Sequence, residues 1–160
     1  MPIHNHFFRK LNQGQDPAPE GLLSAGPLLQ VQVEVPQALA SFLSEKGETI
    51  PAPQPGWALI DTGATRTCVD KDILGRLGVQ PTGTVKTGTA AGQVEQLLFP
   101  AKLSFPAAGG FQVEFGSVIA VDLCGQTVAG ANVVVLVGRD VLSRCLLVYN
   151  GPAGIFTLAM

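Results

Sequence analysis

The stretch Trp57-Ala58-Leu59-Ile60-Asp61-Thr62-Gly63-Ala64-Thr65 constrains this chain more than any other. A short apolar run bounded by turn formers reads as a buried strand, and this one runs directly into an acid. An unpaired charge inside a protein is costly, so a buried strand that ends in a carboxylate needs a reason. Gly63 lets the backbone turn tightly and lets another chain or a ligand approach closely. Thr62 can send its hydroxyl to a neighbouring backbone group and lock the turn. The sequence thus sets a carboxylate on a rigid, water-poor loop, a place for acid–base chemistry. The competing reading is an ordinary surface turn, and three residues alone decide little between the two.

Length and composition bound the rest. With 160 residues, 46% hydrophobic and 14% charged, the chain suits one domain with a real core and some apolar surface left for a partner. Its 19 glycines and 12 prolines break the apolar residues into short runs, which favours a mainly β fold with many turns. The formal charge is −2 and no basic cluster exceeds Arg9-Lys10, so a nucleic-acid footprint is absent. Cys68, Cys124 and Cys145 are odd in number and widely spaced, against a disulfide framework or a zinc site. Reduced thiols, no apolar run of membrane-spanning length and no signal peptide lead to a cytoplasmic expectation.

Residues 1–27 are polar, then rich in Pro, Gly and Ala, and read as a flexible N-terminal leader. His4 and His6 lack a third ligand there, and no metal is expected. From Leu29 to Val35 apolar and polar residues alternate, the clearest half-buried strand. Gln37 to Lys46 carries helix formers closed by Gly47. Asp70 is a candidate N-cap for a short helix ending near Gly78. The segment around Thr87, Gly88, Thr89, Ala90, Ala91 and Gly92 reads as a hairpin tip, either a mobile flap over a site or an ordinary turn. Strands follow over 97–105 and 111–121. Asp122 also ends an apolar run but lacks the hydroxyl and glycine that follow Asp61, so it is a decoy. Val133 to Val137 is the most buried-looking strand. It enters Gly138-Arg139-Asp140 and a short helix over 141–145, followed by two last strands. Strand, glycine turn and short helix therefore occur twice, a faint internal repeat.

The order of these features resembles the retropepsins, the single-lobe aspartic proteases of retroviral type, and in particular their bacterial relatives. Two signatures carry the resemblance, ALIDTGAT and VVLVGRDVL, and their joint occurrence in this order is far more specific than either alone. It covers about residues 28–160, the expected protease domain. The fold it implies is mainly β, a closed barrel lobe with one or two short helices. It implies that Asp61 is the catalytic aspartate, that the Thr62 hydroxyl bonds across to a partner subunit's loop, and that Gly63 contacts substrate backbone. Thr62, Gly63, Ala64, Gly138, Arg139 and Asp140 would support the catalytic loop, and residues 87–92 would be the flap. No metal and no cofactor is implied. Retroviral members carry an acid soon after D-T-G-A that pairs with the arginine of the second motif. Thr65 and Arg66 stand there in this chain, leaving Asp70 or backbone carbonyls as partners for Arg139. One D-T-G per chain implies a homodimer acting on a peptide or protein substrate as an aspartic endopeptidase. The alternative is a non-catalytic dimeric module that binds peptides or scaffolds a partner.

Overall fold

The computed structural model describes residues 3–7, 18–89, 92–128 and 130–160. Its centre is a closed barrel of six strands: β2 (Leu28–Glu34), β3 (Gln54–Ile60), β9 (Ala131–Val137), β4 (Cys68–Asp70), β7 (Phe111–Val121) and β6 (Gly92–Phe105). Pairing of β2 with β6 closes the ring, with Gln32 opposite Ser104 and Glu34 opposite Lys102. At this seam Lys102 Nζ lies 3.0 Å from Glu34 Oε2, and the Ser104 hydroxyl donates to the other carboxylate oxygen. A half-buried ion pair with a further hydrogen bond on the acid pins the register of the closing strands.

Alternation explains the barrel wall. In β2, Leu29, Val31 and Val33 point inward and are fully buried. Ala58 and Ile60 of β3, Val69 of β4, Leu103 of β6, Val118 of β7 and Val135 and Val137 of β9 complete the core. As its continuous apolar run predicts, β9 is central: it pairs parallel with β3 and antiparallel with β4. Gly56 is required where β3 crosses β9, because a Cβ there would lie 2.3 Å from Val134 Cγ2. Pro100 cannot donate to a ladder, and it sits at the register shift between Phe99 and Ala101 of β6.

Among the described residues strand β5 (Gly83–Thr89) pairs with β6 alone, so the two form a hairpin, with Thr89 opposite Gly92. The short β8 (Thr127–Val128) folds back on β9. A second sheet is built from β1 (Ile3–Phe7), β11 (Ile155–Ala159) and β10 (Leu146–Asn150), in that order. Residues 3–7 lie in the stretch expected as a leader; in the structure they form an antiparallel edge on β11.

Four α-helices occur among the described residues, against an expectation of one or two: α1 (Pro19–Ala25), α2 (Gln37–Glu45), α3 (Lys71–Arg76) and α4 (Arg139–Leu142). Helix α1 escapes sequence reading because only Leu22 and Ala25 are buried, too few positions for a period. Pro19 opens it, and Gly26 at φ 68° closes it by donating its N–H to the Leu22 carbonyl. Helix α3 begins as expected: Asp70 Oδ1 accepts from the backbone N–H of Asp72 at 2.9 Å and of Ile73 at 3.3 Å. Among the described residues no helix is long and apolar enough to cross a membrane.

Candidate active site

Asp61 stands where β3 leaves the barrel. Its backbone N–H donates to the Val137 carbonyl at 3.0 Å, the last rung shared with β9. Its side-chain Oδ1 accepts from Gly63 N at 2.8 Å and Ala64 N at 3.2 Å. Gly63 makes this possible, since a Cβ there would crowd Oδ1 at 3.1 Å. The carboxylate is thus fixed by its own loop through one oxygen. Oδ2 has no hydrogen bond among the described residues, and Asp61 is only half-buried. A carboxylate held on one side and open on the other is free to act on something outside the lobe.

The second signature grips this loop from below. Parallel pairing sets Ile60 beside Val137, so Asp61 and Gly138 leave the sheet side by side. Arg139 Nη1 donates to the Thr62 carbonyl at 2.7 Å and the Gly63 carbonyl at 3.0 Å, and Nη2 donates to the Thr65 hydroxyl at 2.8 Å. Of the partners left open for Arg139, the backbone carbonyls hold. Asp70 is occupied elsewhere: besides capping α3, its Oδ2 accepts from Leu123 N at 2.9 Å. The guanidinium fork suits this task, since three acceptors in an arc match its planar donors. Backbone bonds add to it, Arg139 N to the Ala64 carbonyl and Asp140 N to the Thr65 carbonyl.

Asp140 ties the loop to β4. Its Oδ2 accepts from Thr67 N at 2.9 Å and its Oδ1 from the Thr67 hydroxyl at 2.7 Å. The same hydroxyl accepts from Gly138 N at 3.1 Å. Thr67 is completely buried, and sequence reading missed it. It stands directly before β4, and nothing in its neighbourhood hints that its partner lies in the second signature. Gly138 has ordinary extended dihedrals, φ −87° and ψ −179°. It is glycine for space alone, because a Cβ would sit 2.5 Å from the Arg66 carbonyl carbon.

A groove of about 410 Å³ runs beside the loop. Gly63, Ala64, Thr65, Arg66 and Cys68, then Val85, Lys86, Thr87 and Gly88 of β5, and Ile119 of β7 line it. Of the expected flap residues, Thr87 and Gly88 therefore line the groove; Ala90 and Ala91 lie outside the described residues. Burial, then the carboxylates of Asp140 and Asp61, push the Cys68 thiol above the usual thiol range against the opposing pull of Arg66. A thiol in that state is a poor nucleophile. Asp122, the decoy, is exposed and paired with Lys71 at 2.6 Å. Hydrogen bonds from Lys71 and from Cys124 N hold its carboxyl below the usual range. Among the described residues no group of three or more His, Cys, Asp or Glu side chains is placed to hold a metal ion.

A buried strand, a D-T-G loop and a second-signature helix locked to it describe an aspartic protease lobe, and comparison with known families agrees. The aspartyl protease family profile matches residues 49–147, more than half of the chain, and the chain belongs to that family. Among solved structures it is similar to the simian foamy virus (mac) protease, seen in a solution structure, at 19% identity. That match covers 73% of this chain and 92% of the viral one, with a TM-score of 0.43. No curated protein matches.

Proposed function

We propose that the protein is an aspartic endopeptidase that works as a homodimer, with Asp61 of each subunit meeting at a two-fold axis over one water. The observation that carries this is the Asp61 carboxylate, fixed by its loop through Oδ1 and without a bonding partner on Oδ2 among the described residues. Each chain has a single D-T-G, so a second carboxylate must come from a second copy. Two carboxylates sharing one site cannot both ionise easily, a behaviour known for aspartic proteases in general, so the pair holds one proton. The ionised member takes a proton from the water, and the protonated member donates a hydrogen bond to the scissile carbonyl. Thr62 is exposed and available to reach across the axis, while Arg139 keeps its carbonyl turned back into the lobe. The β5–β6 hairpin is the flap, closing over an extended peptide and excluding bulk water. The sheet of β1, β11 and β10 exposes Ile3, Phe7, Leu146, Val148 and Tyr149, apolar surface of the kind a subunit contact covers.

The test is cleavage of a peptide library from acid to neutral pH by wild type and Asp61→Asn, with dimerisation followed by sedimentation. Wild type is expected to show a bell-shaped pH profile. Asp61→Asn should lose at least about a hundredfold in rate while staying folded and dimeric. Equal cleavage by the variant removes Asp61 from the chemistry. Peptide binding without cleavage in wild type would favour the non-catalytic module instead.

A further inference from the structure

We propose that Arg66 makes the cleft selective for a peptide bearing an acidic side chain, Glu or Asp, in the groove beside the catalytic loop. This rests on the endopeptidase reading but adds a substrate class to it. Arg66 lies on the same loop as Asp61 and lines the groove of about 410 Å³. Its side chain is half-buried and anchored, with Nη2 donating to the Ser117 hydroxyl at 2.6 Å and the Ser117 carbonyl at 3.1 Å. Both acceptors are neutral. A guanidinium has five N–H donors in a rigid fork, and these two bonds come from a single nitrogen. Among the described residues no carboxylate lies within ion-pair distance of it; the two ion pairs formed are Lys71–Asp122 and Lys102–Glu34.

The remainder of the groove points the same way. Lys86 of β5, exposed and opposite Glu95 across the hairpin, also borders it, and among the described residues no Asp or Glu does. The other walls are small, apolar or hydroxyl-bearing: Ala64, Thr65, Cys68, Val85, Thr87 and Ile119. Such walls accept the methylenes of a short acidic side chain. A partly desolvated cation with spare donors, pre-oriented by Ser117, discriminates strongly between a carboxylate and its amide isostere. The Asp140 carboxylate is engaged by Thr67 and the Val141 N–H, and among the described residues it forms no ion pair with Arg66.

The experiment uses end-capped decapeptides in which one position at a time is Glu, Gln or Lys. Cleavage is read with wild type, and retention of uncut peptide with Asp61→Asn. At one position Glu should exceed Gln by about tenfold or more, with Lys disfavoured. Arg66→Gln should level Glu and Gln, and Arg66→Glu should turn the preference toward Lys. Because the readout is a ratio within one preparation, it does not depend on how much of a variant folds. Absence of discrimination at every position, or a Glu preference that survives in Arg66→Gln, overturns the proposal while leaving any cleavage, and hence the endopeptidase reading, intact. Conversely, a wild type that cleaves nothing, with a charge preference in retention that Arg66→Glu reverses, supports selection by Arg66 and sinks the catalytic reading.

Discussion

Thr67→Val removes one oxygen atom and leaves the side-chain shape nearly unchanged, so its cost isolates the link between the two signatures. Two hydrogen bonds are lost. Thr67 no longer donates to Asp140 Oδ1 at 2.7 Å, and Gly138 N loses its acceptor at 3.1 Å. Thr67 is fully buried and so is the bond that Gly138 N makes to it, so water does not replace that bond. An unsatisfied buried donor costs about 1–3 kcal/mol, and a lost bond to a charged acceptor about as much. Asp140 keeps the Thr67 and Val141 backbone donors, which trims the second term. The sum is about 3 kcal/mol, or about 6–12 °C in Tm for a chain of this length. Thr67→Ser keeps the hydroxyl and gives up one methyl, for about 1 kcal/mol. Urea unfolding followed by the fluorescence of Trp57, the single tryptophan, measures both variants. Protein concentration is held fixed, because subunit association shifts the midpoint. Equal stability of the Val and Ser variants would refute the reasoning, since it would mean the hydroxyl carries nothing.

Three further expectations follow from the same geometry. Arg139→Lys should lower cleavage by about tenfold or more with little change in Tm, because an ammonium cannot span the Thr62 and Gly63 carbonyls and the Thr65 hydroxyl together; unchanged kcat/KM would show that the fork is dispensable. Burial, and after it the neighbouring His4, lower the His6 pKa below 6.5, so the detached strand takes up a proton that the docked strand refuses. The contribution of His6 is therefore complete above pH 6.5 and is lost as pH falls below it, and amide protection factors of β1 should fall between pH 7.5 and 5.5; protection that is flat across this window counts against it. Cys68 should react with iodoacetamide at neutral pH much more slowly than the exposed Cys124, as mass spectrometry of the labelled protein would read; faster labelling of Cys68 would contradict a thiol held in its protonated form.

Much of this protein is written locally. The apolar run into Asp61, the alternation of β2, the buried run of β9, and the cap at Asp70 each follow from residues close in the chain, because strand period and capping are short-range physics. The repeat of strand, glycine turn and short helix reads differently in the structure: β3 and β9 are parallel neighbours, but β4 stands between the first glycine turn and α3, whereas α4 follows Gly138 directly. What remained hidden depends on partners far apart in sequence. Nothing near Arg139 says that it will hold the carbonyls of residues 62 and 63, and nothing near Thr67 says that Asp140 will claim it. The docking of residues 3–7 on β11 and the burial of Leu22 are of the same kind, since each short segment has too few apolar positions to declare a face. The sequence by itself determined where a buried strand runs into a carboxylate and which strands lie around it. Only the tertiary structure decided what holds that carboxylate still, because side-chain hydrogen bonds form between whatever groups the closed barrel brings together.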